Sequence, residues 1–315
     1  MNRHLYLLAD SLDPIPADNL AAVEDLAARG RMDSRLALFE PALAADFGVD
    51  APACAALSWL GTGHDPGATC WMYADPVHLA LQRDHFTLAY PAPLRLPDEE
   101  RETLLLDINR HFVEDGLHFC QSETGDWYLR MDETPRLQTA MLGEALGHDV
   151  REFQPQGADA ARWKRIQNEL QMFLHEHPVN HAREARGLPA VNSLWLWGQG
   201  RLTSYTGNAP FTAVVAEHPF ARGLAAYTGV TRYPLAALDG DATRDEMLGA
   251  DALIVMDAHD AACAARVMAM HDALRHRRLR RLKLSIFLRG RLLVTELGPF
   301  DAWKLWRRPR PLTGY

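Results

Sequence analysis

Nowhere in this chain do about 18 apolar residues follow one another, the length a helix needs to cross a bilayer, so no membrane-spanning segment is expected. Cysteine is scarce and scattered: Cys54, Cys70, Cys120 and Cys263 form no Cys-x-x-Cys pair. That spacing speaks against a zinc ribbon or a thioredoxin-type centre and predicts reduced, mostly buried thiols in a cytoplasmic protein. A positive surplus is missing too. Lys and Arg number 33 against 41 Asp and Glu, a formal charge of −8, which argues against nucleic-acid binding over the whole surface. The opening MNRHLYLLADSLD has too short an apolar core for an export signal. Internal repeats and low-complexity segments are absent as well.

What is present suffices for a folded core, since 48% of the 315 residues are hydrophobic. Residues 4–9 (HLYLLA) read as a buried first strand ended by Asp10. Asn19–Arg29 repeats apolar residues at helical spacing, with Gly30 at the stop. Residues 52–61 predict a second helix, and Pro76, Pro91, Pro93 and Pro97 mark a change of domain. Glu99–Val113 carries Leu104, Leu105, Ile108 and Phe112 on one face, and Ala158–Glu176 carries Trp163, Ile166, Leu170, Phe173 and Leu174, so both predict amphipathic helices. Further on, Thr212–Val215, Ala252–Met256, Leu284–Leu288 and Arg291–Leu297 read as strands, and Phe220–Tyr227 and Ala261–Leu274 as helices. The unbroken ALIVM of Ala252–Met256 suits a central parallel strand. These alternations predict an α/β protein with a mostly parallel sheet: a discontinuous core of residues 1–75 and 190–315 closed around an inserted α+β domain of residues 76–189.

The most distinctive stretch is HPVNHAREARGLPAVNSLWLWGQG, residues 177–200. His177 and Asn180 can hydrogen-bond a ligand or fix a His-Pro-Val-Asn turn. Arg183 and Arg186 can grip a carboxylate or phosphate in bidentate fashion. Asn192 precedes the strand Ser193–Trp197, and Gly198, Gln199 and Gly200 after it can offer backbone N–H groups to an anion. Trp195 and Trp197 share one strand face, where they either pack or, for Trp197, line a ligand. Two readings thus stand, packing or a pocket for a phosphorylated or acidic small molecule.

This run resembles a segment of the cofactor-independent phosphoglycerate mutases, especially their archaeal-type branch, within the alkaline phosphatase superfamily. Weaker matches follow in the same order: Ala56–Gly61 through His64-Asp65-Pro66, the Ile108-Asn109 pair, Tyr128-Leu-Arg130, and Arg222-Gly223-Leu224 through Gly229. The resemblance implies an alkaline-phosphatase-like core and adds Arg130 to the candidate ligand-binding residues. In that family phosphoryl transfer runs through a phosphoserine and two divalent metals, usually manganese. The resemblance equates Asp10 with the first metal aspartate. It places Pro52 near the nucleophilic serine and Ala56 where a histidine is common, with Ser58 on the helix that follows. After the ALIVM strand stands Asp257-Ala-His259-Asp260, in which one of the family's aspartates persists and its Gly-His does not. After the last strand stands Glu296-Leu-Gly-Pro-Phe-Asp301, without the family's Asp-His pair. Asp10 and Asp260 are therefore vestigial metal candidates, and neither a catalytic residue nor a cofactor is expected.

The same signature also resembles a degenerate bacterial branch of regulatory proteins. It implies a non-catalytic, mutase-like protein that senses a ligand or binds a partner. The alternative is an active phosphoryl-transfer enzyme, mutase or phosphatase, with a rebuilt manganese site.

Three further features keep alternatives open. Asp257, His259, Asp260 and Cys263 can ligate a metal or form a polar turn with Asp260 as helix cap. Arg275, Arg277, Arg278, Arg280, Arg281 and Lys283, with Arg307, Arg308 and Arg310, form either a solvated helix end or a docking patch for a protein partner or a phosphorylated ligand. With Phe287 the one aromatic near the first cluster, stacking on single-stranded nucleic acid is not expected. The ADPVHL segment, Ala74–Leu79, receives no chemical role.

Overall fold

A computed structural model describes residues 1–9, 14–50, 52–89, 94–239, 251–288, 290–304, 306–309 and 311–312. Asp10, Pro91, Pro93 and Arg310 lie outside the described residues. In chain order the elements begin with β1 (Asn2–Leu8), α1 (Ala17–Ala28), β2 (Asp33–Leu36), α2 (Phe39–Asp46) and α3 (Cys54–Gly61). Then come β3 (Cys70–Val77), β4 (Leu79–Leu81), β5 (Phe86–Leu88), α4 (Asp98–His111), β6 (His118–Gln121), β7 (Trp127–Met131), α5 (Leu142–Ala145), α6 (Ala160–His175) and α7 (Pro178–Ala185). The chain continues through β8 (Ser193–Gly200), β9 (Ala213–Ala216), α8 (Pro219–Thr228), β10 (Thr231–Tyr233), β11 (Asp251–Asp257), α9 (Cys263–Arg275), β12 (Arg281–Leu288) and β13 (Arg291–Leu297).

These elements form two compact units, Met1–Ala51 with Tyr205–Tyr315, and Pro52–Ser204. In the first unit seven strands run in the order β10-β9-β11-β1-β12-β13-β2. The pairs β10–β9, β9–β11, β11–β1 and β1–β12 are parallel, while β13 and β2 add antiparallel strands at one edge. The expected α/β class and mostly parallel sheet are therefore observed. β11 carries the ALIVM run, buried throughout, and β1 and β9 flank it on either side, as an unbroken apolar strand requires. β2 (DSRL) is exposed along its whole length, and its charged residues suit an edge strand. α8 ends at Gly229, whose φ of +74° is the left-handed conformation that glycine adopts without a Cβ clash.

The second unit is α+β. Its four-stranded antiparallel sheet runs β6-β7-β3-β8. Leu104 and Ile108 of α4 and Trp163, Ile166, Leu170 and Leu174 of α6 bury the apolar stripe read from the sequence, packing with Met72, Leu129, Leu194 and Leu196 of the sheet. Alternate residues form an aromatic layer in which Tyr73 stacks on Trp197 at 4.4 Å and on Tyr128 at 5.3 Å.

The unit boundaries differ from those expected, 51/52 and 204/205 instead of 75/76 and 189/190. The cause is pairing that no local pattern announces: β3 and β8, more than a hundred residues apart, lie side by side and draw α3 into the second unit. The expected His-Pro-Val-Asn turn is also the start of a helix. Pro178 occupies its first turn, where a missing N–H costs nothing, and His177 is the N-cap. The arginine cluster spans three settings instead of one helix end, since only Arg275 lies in α9, residues 276–280 turn, and Arg281 and Lys283 begin β12.

Candidate functional site

The polar side chains of the 177–200 run are turned to holding the second unit together. His177 Nδ1 accepts from the Val179 N–H, and Nε2 faces Asp107 of α4 at 3.3 Å. Asn180 is buried; its amide donates to the carbonyls of Leu174 and Val191 and accepts from the Val191 N–H, at 2.7–2.8 Å. One side chain thus satisfies three backbone groups where α6 ends and the chain approaches β8. Asn192 does the same for both backbone groups of Leu79, at 2.7 and 2.9 Å. That contact, with His78 on the Ala190 carbonyl and Asp75 on the Trp197 indole, gives the ADPVHL segment a structural role.

Arg183 is 0% exposed. Its guanidinium donates to the Pro189 carbonyl at 2.8 Å, the Leu94 carbonyl, and Glu100 at 2.5 Å. Arg186, half-exposed, donates to the other oxygen of Glu100. Burial alone would push the Glu100 carboxyl up, but the hydrogen bonds from Arg186 and Arg183 outweigh it and hold the group below its ordinary 4.5. Both arginines therefore have a carboxylate already.

The Gly-Gln-Gly is a continuation of β8, not an open anion loop. Gly198 has φ +67°, and a Cβ there would lie 3.1 Å from that of Cys54. At Gly200 a Cβ would fall 2.4 Å from that of Ala53, so the glycines let the strand pass the start of α3. Gln199 donates to the Leu137 carbonyl at 2.6 Å and accepts from Thr139 at 2.7 Å. Arg130 is exposed on β7, opposite His118 and Trp71 in the ladder. His177 through Asn192 come together as a clamp on α4, α6 and β8, and Gly198–Gly200 seats the strand on α3.

A groove of about 1010 Å³ does open between α4 and α6, with His177 among its lining residues. Asp107, Glu169 and Glu176 line it against Arg110 and Arg165. Asp107 takes Arg110, and Glu169 takes His111 at 2.8 Å. Three carboxylates against two guanidiniums do not favour an anion.

Ser58 cannot serve as a nucleophile where it stands. It is buried within α3, and its hydroxyl is bonded to that of Tyr73. In the first unit the loop after β11 likewise satisfies itself. Asp257 accepts from the backbone N–H of His259 at 2.8 Å and from its ring at 2.7 Å. Asp260 accepts from the Ala262 N–H, so it caps the turn that leads into α9, whose own N-cap is Ala262. Its other oxygen takes Arg266 at 2.8 Å, and Arg266 also grips Asp239 through two bonds of 2.8 and 2.9 Å. Burial, with Asp260 and Asp257 adding to it, pushes the Cys263 thiol up to about 12, so no thiolate is offered at neutral pH. Among the described residues no group of three His, Cys, Asp or Glu is placed to hold a metal ion. The buried Arg266 guanidinium supplies the positive charge between Asp260 and Asp239.

Arg266 and Asn19 are the residues sequence reasoning missed. Asn19, buried on α1, bonds the carbonyls of Ala258 and Asp260 and the N–H of Ala264. The available signal was a polar residue on each helix at an otherwise apolar position, which in a buried site implies a partner.

No protein-family model matches the chain. It is 39% identical over 57 residues to a 2,3-bisphosphoglycerate-independent phosphoglycerate mutase of Methanothrix thermoacetophila, covering 18% of this chain and 14% of that protein. It is 30% identical over 120 residues to a probable enzyme of the same name from Geobacter sulfurreducens, covering 36% of this chain and 30% of that protein. The matches thus span well under half of these curated relatives. Among solved structures, a cofactor-independent phosphoglycerate mutase from Thermoplasma acidophilum is 11% identical over 94% of this chain and 89% of its own, with a TM-score of 0.41. The chain is thus phosphoglycerate-mutase-like, similar over part of its sequence to proteins that carry that name.

Proposed function

We propose that this is a non-catalytic, mutase-derived bacterial protein of the cytoplasm, with a regulatory role exerted through a binding partner. The observation that carries the reading is Arg266. A buried arginine bonded to Asp239 also neutralises Asp260, the described one of the two vestigial metal aspartates, and it cannot be deprotonated to release it. A phosphorylated or acidic effector is the weaker arm of the reading, because Arg183 and Arg186 already share Glu100. Partner binding is the stronger arm.

The test is conversion of 3-phosphoglycerate to 2-phosphoglycerate in a coupled assay with saturating manganese. No rate above blank is expected, and manganese should leave the melting temperature unchanged. A rate abolished by chelator and by Asp10→Ala would overturn the proposal in favour of the alternative, a phosphoryl-transfer enzyme with a rebuilt manganese site.

A further inference from the structure

The arginine cluster acquires in the fold something its sequence neighbourhood lacks. β12 and β13 pair antiparallel, with Leu282 opposite Leu297, so the turn that precedes β12 and the segment that follows β13 meet at the same end of these two strands. This brings Phe300 and Trp303 to the arginines, with Trp306 three residues beyond Trp303 on the same segment. They are 79%, 52% and 75% exposed, unusual for large aromatic side chains. Arg275 lies over the Trp303 ring at 4.6 Å and Arg277 over Phe300 at 5.7 Å. Arg277, Arg280 and Arg308 make no ion pair with a described residue. Asp272 and Asp301 lie on the same two segments. Asp272 is only 3.8 Å-close to Arg275, and Asp301 is taken by Lys304.

The backbone adds a second observation. Arg277 has φ +58°, the left-handed region, just past the end of α9. Glycine is the residue that takes this position without steric cost. A strained arginine, laid on an exposed ring, is a residue kept for its side chain.

We propose that this face binds an acidic peptide segment of a partner protein, one that carries apolar side chains beside its carboxylates. A guanidinium held against a ring keeps its N–H edges free in a fixed plane, which matches bidentate carboxylate contact and reduces the ordering cost of binding. The exposed rings supply the apolar contact. Nucleic acid fits less well, because base stacking needs open ring faces and two of the three rings have a guanidinium on one side. The chain's −8 charge decides the same way. A long polyanion or an anionic membrane would face the acidic remainder of the surface, whereas a short segment stays within about 8 Å, the screening length at physiological salt.

The proposal deepens the partner-binding reading and is independent of its non-catalytic half: a mutase rate would overturn that half alone. The test is fluorescence anisotropy with a short labelled peptide alternating Glu and Phe, its Gln counterpart, an oligothymidylate and phosphatidylserine vesicles. Saturable, salt-sensitive binding of the Glu peptide is expected, weakened about tenfold or more by R277E/R278E, less by W306A, and absent for the Gln peptide. Melting curves verify that each variant folds, and R308E serves if the double variant does not. No binding by the unaltered protein, binding indifferent to charge reversal, or preference for oligothymidylate or vesicles would each overturn the proposal.

Discussion

Two stretches of this chain carry arginines in patterns that suggest a ligand, and the fold treats them in opposite ways. Around residues 177–200 the guanidiniums turn inward: Arg183 is fully buried on Glu100 and two backbone carbonyls, and Arg186 shares the same carboxylate. Where the end of α9 and the 276–280 turn meet the segment after β13, Arg275 and Arg277 lie outward against exposed aromatic rings. The lesson is that a conspicuous motif is not thereby a binding motif. The difference lies in the acceptors that surround each arginine. Within the second unit a carboxylate and unpaired carbonyls await the side chain, so burial is stabilised by full satisfaction. In the 275–283 cluster Arg275 and Arg281 pair with Asp272 and Glu296 at 3.8 and 3.5 Å, and Lys283 pairs with Asp46, while Arg277 makes no ion pair with a described residue.

The sharpest way to break the comparison is to delete one arginine from each region. Arg183→Ala should cost about 3–5 kcal/mol, because it leaves Glu100 largely buried without its main partner and strands the Leu94 and Pro189 carbonyls. Urea unfolding measures this directly. A loss under about 0.5 kcal/mol, the range of ordinary surface changes, would show that the clamp is not structural.

How much of this was legible beforehand follows from how local each cause is. The stripe of α6 and the unbroken apolar run of β11 are local patterns, and both elements appear where expected. β2 was invisible because DSRL has neither alternation nor apolar content, and only its partner β13 makes it a strand. The unit division at 51/52 and 204/205 has no local signal, because β3 and β8 declare their kinship only by pairing. Pro178 was ambiguous, since proline suits both a turn and the first turn of a helix. At the candidate site, residue types were legible but their partners were not. Nothing near Arg183 in sequence points to Glu100, and nothing near Arg277 points to Phe300.

A pH experiment sharpens the inward half of the comparison. The Glu100 carboxyl is held below its ordinary 4.5 in the folded protein, mainly against the pull of burial and by the two arginines. A carboxyl depressed on folding contributes stability above its unfolded value, and that contribution is lost as pH falls through the folded value. Stability should therefore fall below about pH 4.5 partly on account of this residue. Glu100→Gln should be less stable at neutral pH and should flatten that part of the pH profile. An unchanged slope would mean that the carboxylate adds nothing to the clamp.

The smallest expected effect tests the outward half, and it does so through its sign. Replacing Arg277 by glycine removes the left-handed strain of a residue with a Cβ, worth about 1 kcal/mol. The greater freedom of glycine in the unfolded chain takes back a part of that gain, leaving a net stabilisation of a few tenths of a kcal/mol. Arg277→Gly should thus raise the melting temperature slightly while it weakens peptide binding. The two readouts moving in opposite directions would identify strain maintained for the sake of the surface. Were both to fall together, the arginine would be part of the packing that ends α9, and the two regions would differ in exposure alone, not in what their arginines do.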